Sequence, residues 1–341
     1  MVITKPQIIG QSQDIQKILE VIRKVSCVDL NVLITGESGV GKELVARSLH
    51  YFSPRSSKPF VKVNSAALPS ELMESELFGY EKGAFTGAER RKTGMFEHAA
   101  QGSLFLDEIG ELPMRLQSKL LQVLQDRNYY RVGGQREIDV QARIIAATNQ
   151  NLEAITQHGH FRDDLYYRLS TITIHIPPLR DRKEDIPVLV EHFIHKILEQ
   201  NPHLEMQVPR SLMETFMQYH WPGNARELEN YLNSLSILGN YQEVEKEILQ
   251  SLQKPEKENS LPKNPGHENF QMLKEPELDL NHFPSLKEVR DQAVRKVERE
   301  VIANVLHQTN WNRSQTARIL KISYRALLYK IKELELKPPY N

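Results

Sequence analysis

The residues of this chain best placed to do chemistry lie at the ends of apolar runs. NVLIT at 31–35 leads directly into Gly36-Glu37-Ser38-Gly39-Val40-Gly41-Lys42-Glu43, and the helical pattern LVARSLH follows. A strand, a G-x-x-x-x-G-K loop and a helix in that order describe a phosphate-binding loop. Its glycines let backbone N–H groups close on phosphate oxygens, the helix N-terminus adds partial positive charge, and Lys42 reaches the β- and γ-phosphates. Glu43 stands where Ser or Thr commonly ligates Mg²⁺, so the metal must lean on another residue or on water. LFLDE at 104–108 answers that need: Asp107 can hold the Mg²⁺ shell while Glu108 polarises an attacking water. Thr148 and Asn149 close a further apolar run, where an amide can orient water or sense the γ-phosphate, or simply make a turn. Asn64, closing FVKVN, is open to the same two readings.

Positioning these groups requires a sheet. NVLIT (31–35), FVKVN (60–64), SLFLD (103–107), RIIAATN (143–149) and TITIHI (171–176) alternate with helical patterns, which predicts a parallel α/β sheet with ligands beyond its C-terminal edge. After Pro177 and Pro178 the strand signals stop, and amphipathic stretches near 187–200, 209–219 and 224–238 predict a helical subdomain. The boundaries expected are an α/β subdomain over 1–178, a helical lid over 179–252, a Pro-rich linker over 253–284 and a small all-α domain over 285–341. Ser285 and Glu288 form a capping box ahead of an amphipathic helix. Two short helical patterns follow, 312–320 and 323–331, with Ala317, Leu320, Ile322, Leu327 and Ile331 spaced to pack them as a helix-turn-helix.

Charge supports that division. Lys plus Arg equals Asp plus Glu at 44 each, yet residues 290–341 hold 11 basic against 5 acidic side chains, a local charge of +6. Any DNA-binding end is therefore the C-terminal one. Cys27 is the only cysteine, and no Cys/His cluster has zinc-ligand spacing, which fits a reducing interior and no structural metal. His192 and His195 can share a helix face and read as exposed surface histidines. No run has the ~20 apolar residues of a membrane span, so a cytoplasmic, nucleoid-associated protein is expected.

Gly83-Ala84-Phe85-Thr86-Gly87-Ala88, within ESELFGYEKGAFTGA, resembles the signature loop of the AAA+ activators of sigma-54 RNA polymerase, the bacterial enhancer-binding proteins. The resemblance runs from about Ile9 to Leu336. It implies an AAA+ P-loop ATPase that uses ATP and Mg²⁺ and assembles from dimers into a hexameric ring. It also implies that the 83–88 loop engages sigma-54 holoenzyme, so that hydrolysis remodels a stalled closed complex. GESGVGKE at 36–43 resembles the family's phosphate loop, Glu43 included. Asn64 matches a residue that restrains the catalytic Glu108, Arg162 and Arg168 match arginines acting in trans, and Arg226 in WPGNARELEN matches a second nucleotide sensor. A second loop near Arg131-Val132-Gly133-Gly134 is expected to assist.

The C-terminal unit resembles the Fis-type module of the same family, with Lys321 where that pattern usually has Gly and Tyr324 and Ala326 in place of commoner Arg and Thr. Ser323, Tyr324, Arg325 and Tyr329 are candidates for base contacts in a palindromic upstream site, with Arg313, Lys330 and Lys332 beside them on the basic face. The alternative class is a DNA-binding regulator of other promoters whose AAA+ domain serves nucleotide-dependent assembly. Since Ile9 already begins the ATPase segment, either a separate protein controls the activator, as in members without a receiver domain, or the natural N-terminus is missing.

Overall fold

The computed structural model describes residues 6–67, 69–204, 206–238, 241, 246, 248–249, 302–303, 305–306, 309, 311–320 and 324–334. The expected linker, residues 285–301 of the helix from Ser285, and Lys321, Ile322 and Ser323 lie outside the described residues. The chain forms two compact units, Met1–Lys257 and Glu258–Asn341.

In the first unit, β1 (Val32–Thr35), β2 (Phe60–Asn64), β3 (Ser103–Asp107), β6 (Arg143–Thr148) and β7 (Ile172–His175) form one 5-stranded sheet in the order β2-β3-β6-β1-β7. Every neighbouring pair is parallel. All five runs anticipated from the sequence are strands of this sheet. The three inner strands, β1, β3 and β6, read as near-continuous apolar runs because both faces are covered. Alternation assigns the faces: Leu104, Leu106 and Ile144 join one core, and Phe105 and Ile145 the other. The first core is closed by α3 (Ser70–Phe78), α4 (Met95–Ala99) and α5 (Met114–Asp126), the second by α1 (Gln13–Ser26) and α2 (Lys42–Tyr51). Register then places chemistry on one edge, since Asn64 pairs with Asp107 and Thr35 with Thr148.

A short antiparallel ribbon, β4 (Asn128–Tyr130) with β5 (Glu137–Asp139), was not anticipated; each strand has 3 residues, too few for a period to show. Helices α6 (Leu152–Gln157) and α7 (Asp163–Leu169) lead into β7. Beyond it α8 (Asp185–Gln200), α9 (Arg210–Gln218) and α10 (Asn224–Leu238) pack Ile186, Leu189, Leu212, Phe216, Trp221 and Leu228 into a third core, the helical subdomain expected after Pro178.

The second unit contains α11 (Arg313–Ile319) and α12 (Tyr324–Glu333) over a small core of Ile302, Leu306, Ala317 and Leu327, with Leu320 and Ile331 at its margin. Asn312 caps α11 by accepting from the Gln315 amide at 3.2 Å.

Candidate nucleotide site and effector loop

Gly36, Gly39 and Gly41 take φ of +150°, +80° and +106°, the conformations that curl the loop before α2. At Gly39 a Cβ would fall 2.2 Å from the Gly223 carbonyl oxygen, so only glycine lets the lid approach this closely. Lys42 is 7% exposed, donating from Nζ to the carbonyls of Gly36 at 2.9 Å and Glu37 at 3.2 Å. Its Nζ lies 3.7 Å from Oε1 of Glu108. Burial lowers the Lys42 pKa, opposed by the charges of Glu108 and Asp107. Glu108 follows β3 in the left-handed region, φ +53°, an uncommon conformation for a side-chain-bearing residue that re-aims its carboxylate off the strand. Its Oε2 accepts from the Asn149 amide at 3.2 Å.

The expected partnership of Asn64 with Glu108 is not the one this structure shows. Asn64 Oδ1 accepts from the Ala66 amide at 2.9 Å, because a short amide at a strand end satisfies the turn that follows it. Thr148 behaves likewise, its buried hydroxyl accepting from the Gln150 amide at 3.0 Å, while the Asn149 side chain is exposed. Asp107 ends β3 on the cleft wall, a carboxylate oxygen donor of the kind Mg²⁺ takes.

Lys62, Arg180 and Arg182 carry no sequence signal, and Asn224 only its place in WPGNARELEN, yet all four grip this site. Lys62 Nζ lies 2.6 Å from Glu43 Oε2 and 3.2 Å from Asp107 Oδ2. Burial works against its charge, but these two carboxylates outweigh it and raise its pKa. Arg180 binds both oxygens of Glu37, at 2.9 and 2.6 Å. Asn224 Nδ2 donates to Glu37 at 3.1 Å and to the Ser38 carbonyl at 2.9 Å, while its Oδ1 accepts from the Leu179 amide at 2.8 Å. Arg182 donates to the Val40 carbonyl at 3.2 Å, and Arg226 to the Ser38 hydroxyl at 3.1 Å. The lid is thus fastened to successive residues of the phosphate loop.

A cleft of about 1200 Å³ opens over the loop, lined by Lys42, Asn64, Asp107, Glu108 and Arg226. His192 and His195 line its lid side, where His195 Nδ1 lies 3.4 Å from Glu199. Beside it is an apolar recess of about 90 Å³ bounded by Ile8, Ile9, Val40, Ile176, Leu189 and Phe193. Arg162 and Arg168 do not line the cleft. Both bracket α7, Arg162 pairing with Asp164 at 2.7 Å and Arg168 donating to the Leu124 carbonyl at 3.2 and 3.1 Å.

The 83–88 segment folds as a hairpin after α3: Gly83 N donates to Ala88 O at 2.8 Å and Ala88 N to Phe85 O at 3.0 Å. Gly83 and Gly87 have positive φ, +83° and +100°, which makes the turn. Phe85 is 47% exposed with its ring 4.9 Å from that of Tyr80, and Ala88 is buried. The second loop supports the first, since Glu81 N donates to Val132 O at 3.0 Å and Ala84 sits against Gly133. Arg131, 5% exposed, binds Glu81 at 2.6 Å and also Glu97, joining hairpin, ribbon and α4.

In the second unit Arg313, Arg318, Tyr324, Arg325 and Tyr329 are exposed. Lys330 lies 3.5 Å from Glu333, and Lys332 falls on α12.

Sheet order, phosphate loop and helical lid define an AAA+ P-loop NTPase, accompanied by a helix-turn-helix unit. Residues 8–175 match the sigma-54 interaction domain, 180–265 the AAA+ ATPase lid domain, and 293–334 the bacterial regulatory protein, Fis family. The chain is 43% identical over 315 residues to the regulatory protein AtoC of Escherichia coli (strain K12), covering 92% of this chain and 65% of that one. It is 42% identical over 333 residues to the DNA-binding transcriptional regulator NtrC of Salmonella typhimurium, covering 96% and 70%. The crystal structure of NtrX from Brucella abortus in complex with ATP superposes with a TM-score of 0.64 at 34% identity, covering 98% of this chain and 71% of that one. Its complex with ADP gives 0.65. The chain therefore belongs to the family of sigma-54-dependent transcriptional activators, and it spans 65% of the length of AtoC.

Proposed function

We propose that this chain hydrolyses ATP to remodel closed complexes of sigma-54 RNA polymerase through residues 83–88 while its C-terminal unit holds upstream DNA. The observation that carries the reading is the pairing, in one unit, of a Lys42–Glu108 site with an exposed Phe85 hairpin braced by Arg131.

Residues 36–43 cradle the phosphates, Lys42 leaving its two loop carbonyls for phosphate oxygens. The adenine occupies the apolar recess beside Ile8, Ile9 and Phe193, which suits a flat, weakly polar ring. Asp107 would hold Mg²⁺, which would supply positive charge against the β- and γ-phosphates. Glu108 takes a proton from water, and the Asn149 amide on its Oε2 aims the carboxylate. Thr148 fixes the turn presenting Asn149, and Arg226 meets the phosphates from the lid.

Arg162 and Arg168 stand outside their own cleft and act on the next subunit's γ-phosphate, which requires a ring. The hairpin gives Phe85 for apolar contact and Thr86 for polar contact with sigma-54. On DNA, Tyr324, Arg325 and Tyr329 with Ser323 face bases, and Arg313, Lys330 and Lys332 face phosphates of a palindromic site. The chain divides at 178, 252 and 284 into catalytic, lid, linker and DNA-binding parts.

Purified chain with ATP, sigma-54 holoenzyme and a stalled promoter tests the reading. Open complexes should form only with hydrolysable ATP, and Lys42→Ala should lose hydrolysis and opening together. Opening without hydrolysis would instead favour a regulator that uses nucleotide for assembly alone.

A further inference from the structure

Lys62 is a polar residue in a half-covered strand, and a solvated face would be its ordinary fate. Its ammonium instead bridges two carboxylates, Glu43 Oε2 at 2.6 Å and Asp107 Oδ2 at 3.2 Å. Glu43 is itself fixed, for Arg47 holds its other oxygen at 2.7 Å, so each oxygen carries one cation and Glu43 anchors Lys62. Asp107 is only 16% exposed, so its attraction to Lys62 is less screened by water than a surface pair would be.

We propose that Lys62 is a tethered counter-ion that competes with Mg²⁺ for Asp107 and thereby sets how strongly nucleotide affinity depends on the metal. This rests on the nucleotide reading above. Without metal, Lys62 neutralises a carboxylate that would otherwise repel incoming phosphates, so nucleotide binds well without Mg²⁺. When Mg²⁺ takes an Asp107 oxygen, two cations crowd one carboxylate. The ammonium then retreats along its flexible stem to Glu43, its shorter contact, and that separation weakens metal binding. Both effects lower the coupling between Mg²⁺ and nucleotide, which is one reciprocal free energy.

The test is the ratio of dissociation constants for a fluorescent ADP analogue on the full chain, in EDTA over in Mg²⁺. Lys62→Met should raise that ratio about three- to tenfold, the range a partly screened charge pair supports, by weakening binding in EDTA and tightening it in Mg²⁺. Lys62→Arg, which keeps the cation, should stay within about twofold of wild type. A folded Lys62→Met chain, judged by circular dichroism, whose ratio is unchanged or lower would overturn the proposal. Wild-type chain that binds no nucleotide in either condition would overturn the nucleotide reading itself and the proposal with it.

Discussion

The Nζ of Lys42 lies 3.7 Å from Oε1 of Glu108, so the groups proposed to bind phosphate and to activate water are held as an ion pair. On that proposal, nucleotide phosphates compete for Lys42 and release Glu108 to act as base. Glu108→Gln should therefore bind nucleotide as wild type does or more tightly and lose hydrolysis about 10²- to 10⁴-fold. Nucleotide binding by fluorescence anisotropy and phosphate release on the same preparation check both halves.

Arg168 spends its guanidinium on the Leu124 carbonyl and stands away from its own cleft. Arg168→Ala should leave nucleotide affinity within about threefold while hydrolysis falls about 10³-fold or more. Mixing it with Glu108→Gln should restore part of the turnover, because each chain supplies what its neighbour lacks. A mixture as inactive as its components would place the arginine in cis.

Arg180 holds the Glu37 carboxyl below its ordinary 4.5, against the opposing cost of burial and with help from Asn224. A carboxylate with a depressed folded pKa contributes stability that is present above its unfolded pKa and lost as pH falls through the folded one. Glu37→Gln should therefore lose less stability than wild type as pH falls from about 5 to about 3, read from urea melts at each pH.

Trp221 is fully buried in the lid, donates to the Phe216 carbonyl at 2.8 Å and meets Phe216, Tyr219 and Tyr231 edge-on. Trp221→Ala should cost the lid about 3–5 kcal/mol. The same truncation loosens Gly223, Asn224 and Arg226 from the phosphate loop, so nucleotide affinity should fall in parallel with the melting midpoint.

The sequence shows this fold clearly where a local pattern carries it. The inner strands β1, β3 and β6 are apolar runs buried on both faces, and Gly36, Asp107 and Thr148 stand at their ends, the edge where ligands of such sheets bind. The cross-links are illegible for the opposite reason. Arg180 and Asn224 reach Glu37 across more than 140 residues, at separations of 143 and 187, and no period records such a contact. Lys62 looks like any outward strand residue until Glu43 and Asp107 are placed beside it. For Asn64 the resemblance implies a partnership with Glu108, whereas the contact seen is local, its Oδ1 accepting from the Ala66 amide at the turn. His192 and His195 read as surface residues, and only the packing of α8 sets them along the cleft.

On the proposed function Phe85 and Thr86 make the connection between hydrolysis and promoter opening, since the hairpin holding them is joined through Glu81 and Arg131 to the rest of the domain and lies outside the cleft lined by Lys42, Asp107 and Glu108. The direct measurement is Thr86→Ala, assayed side by side for ATP turnover and for open-complex formation by sigma-54 holoenzyme. Turnover within about twofold of wild type with opening reduced at least about tenfold is the predicted result. Normal opening by Thr86→Ala would contradict the account.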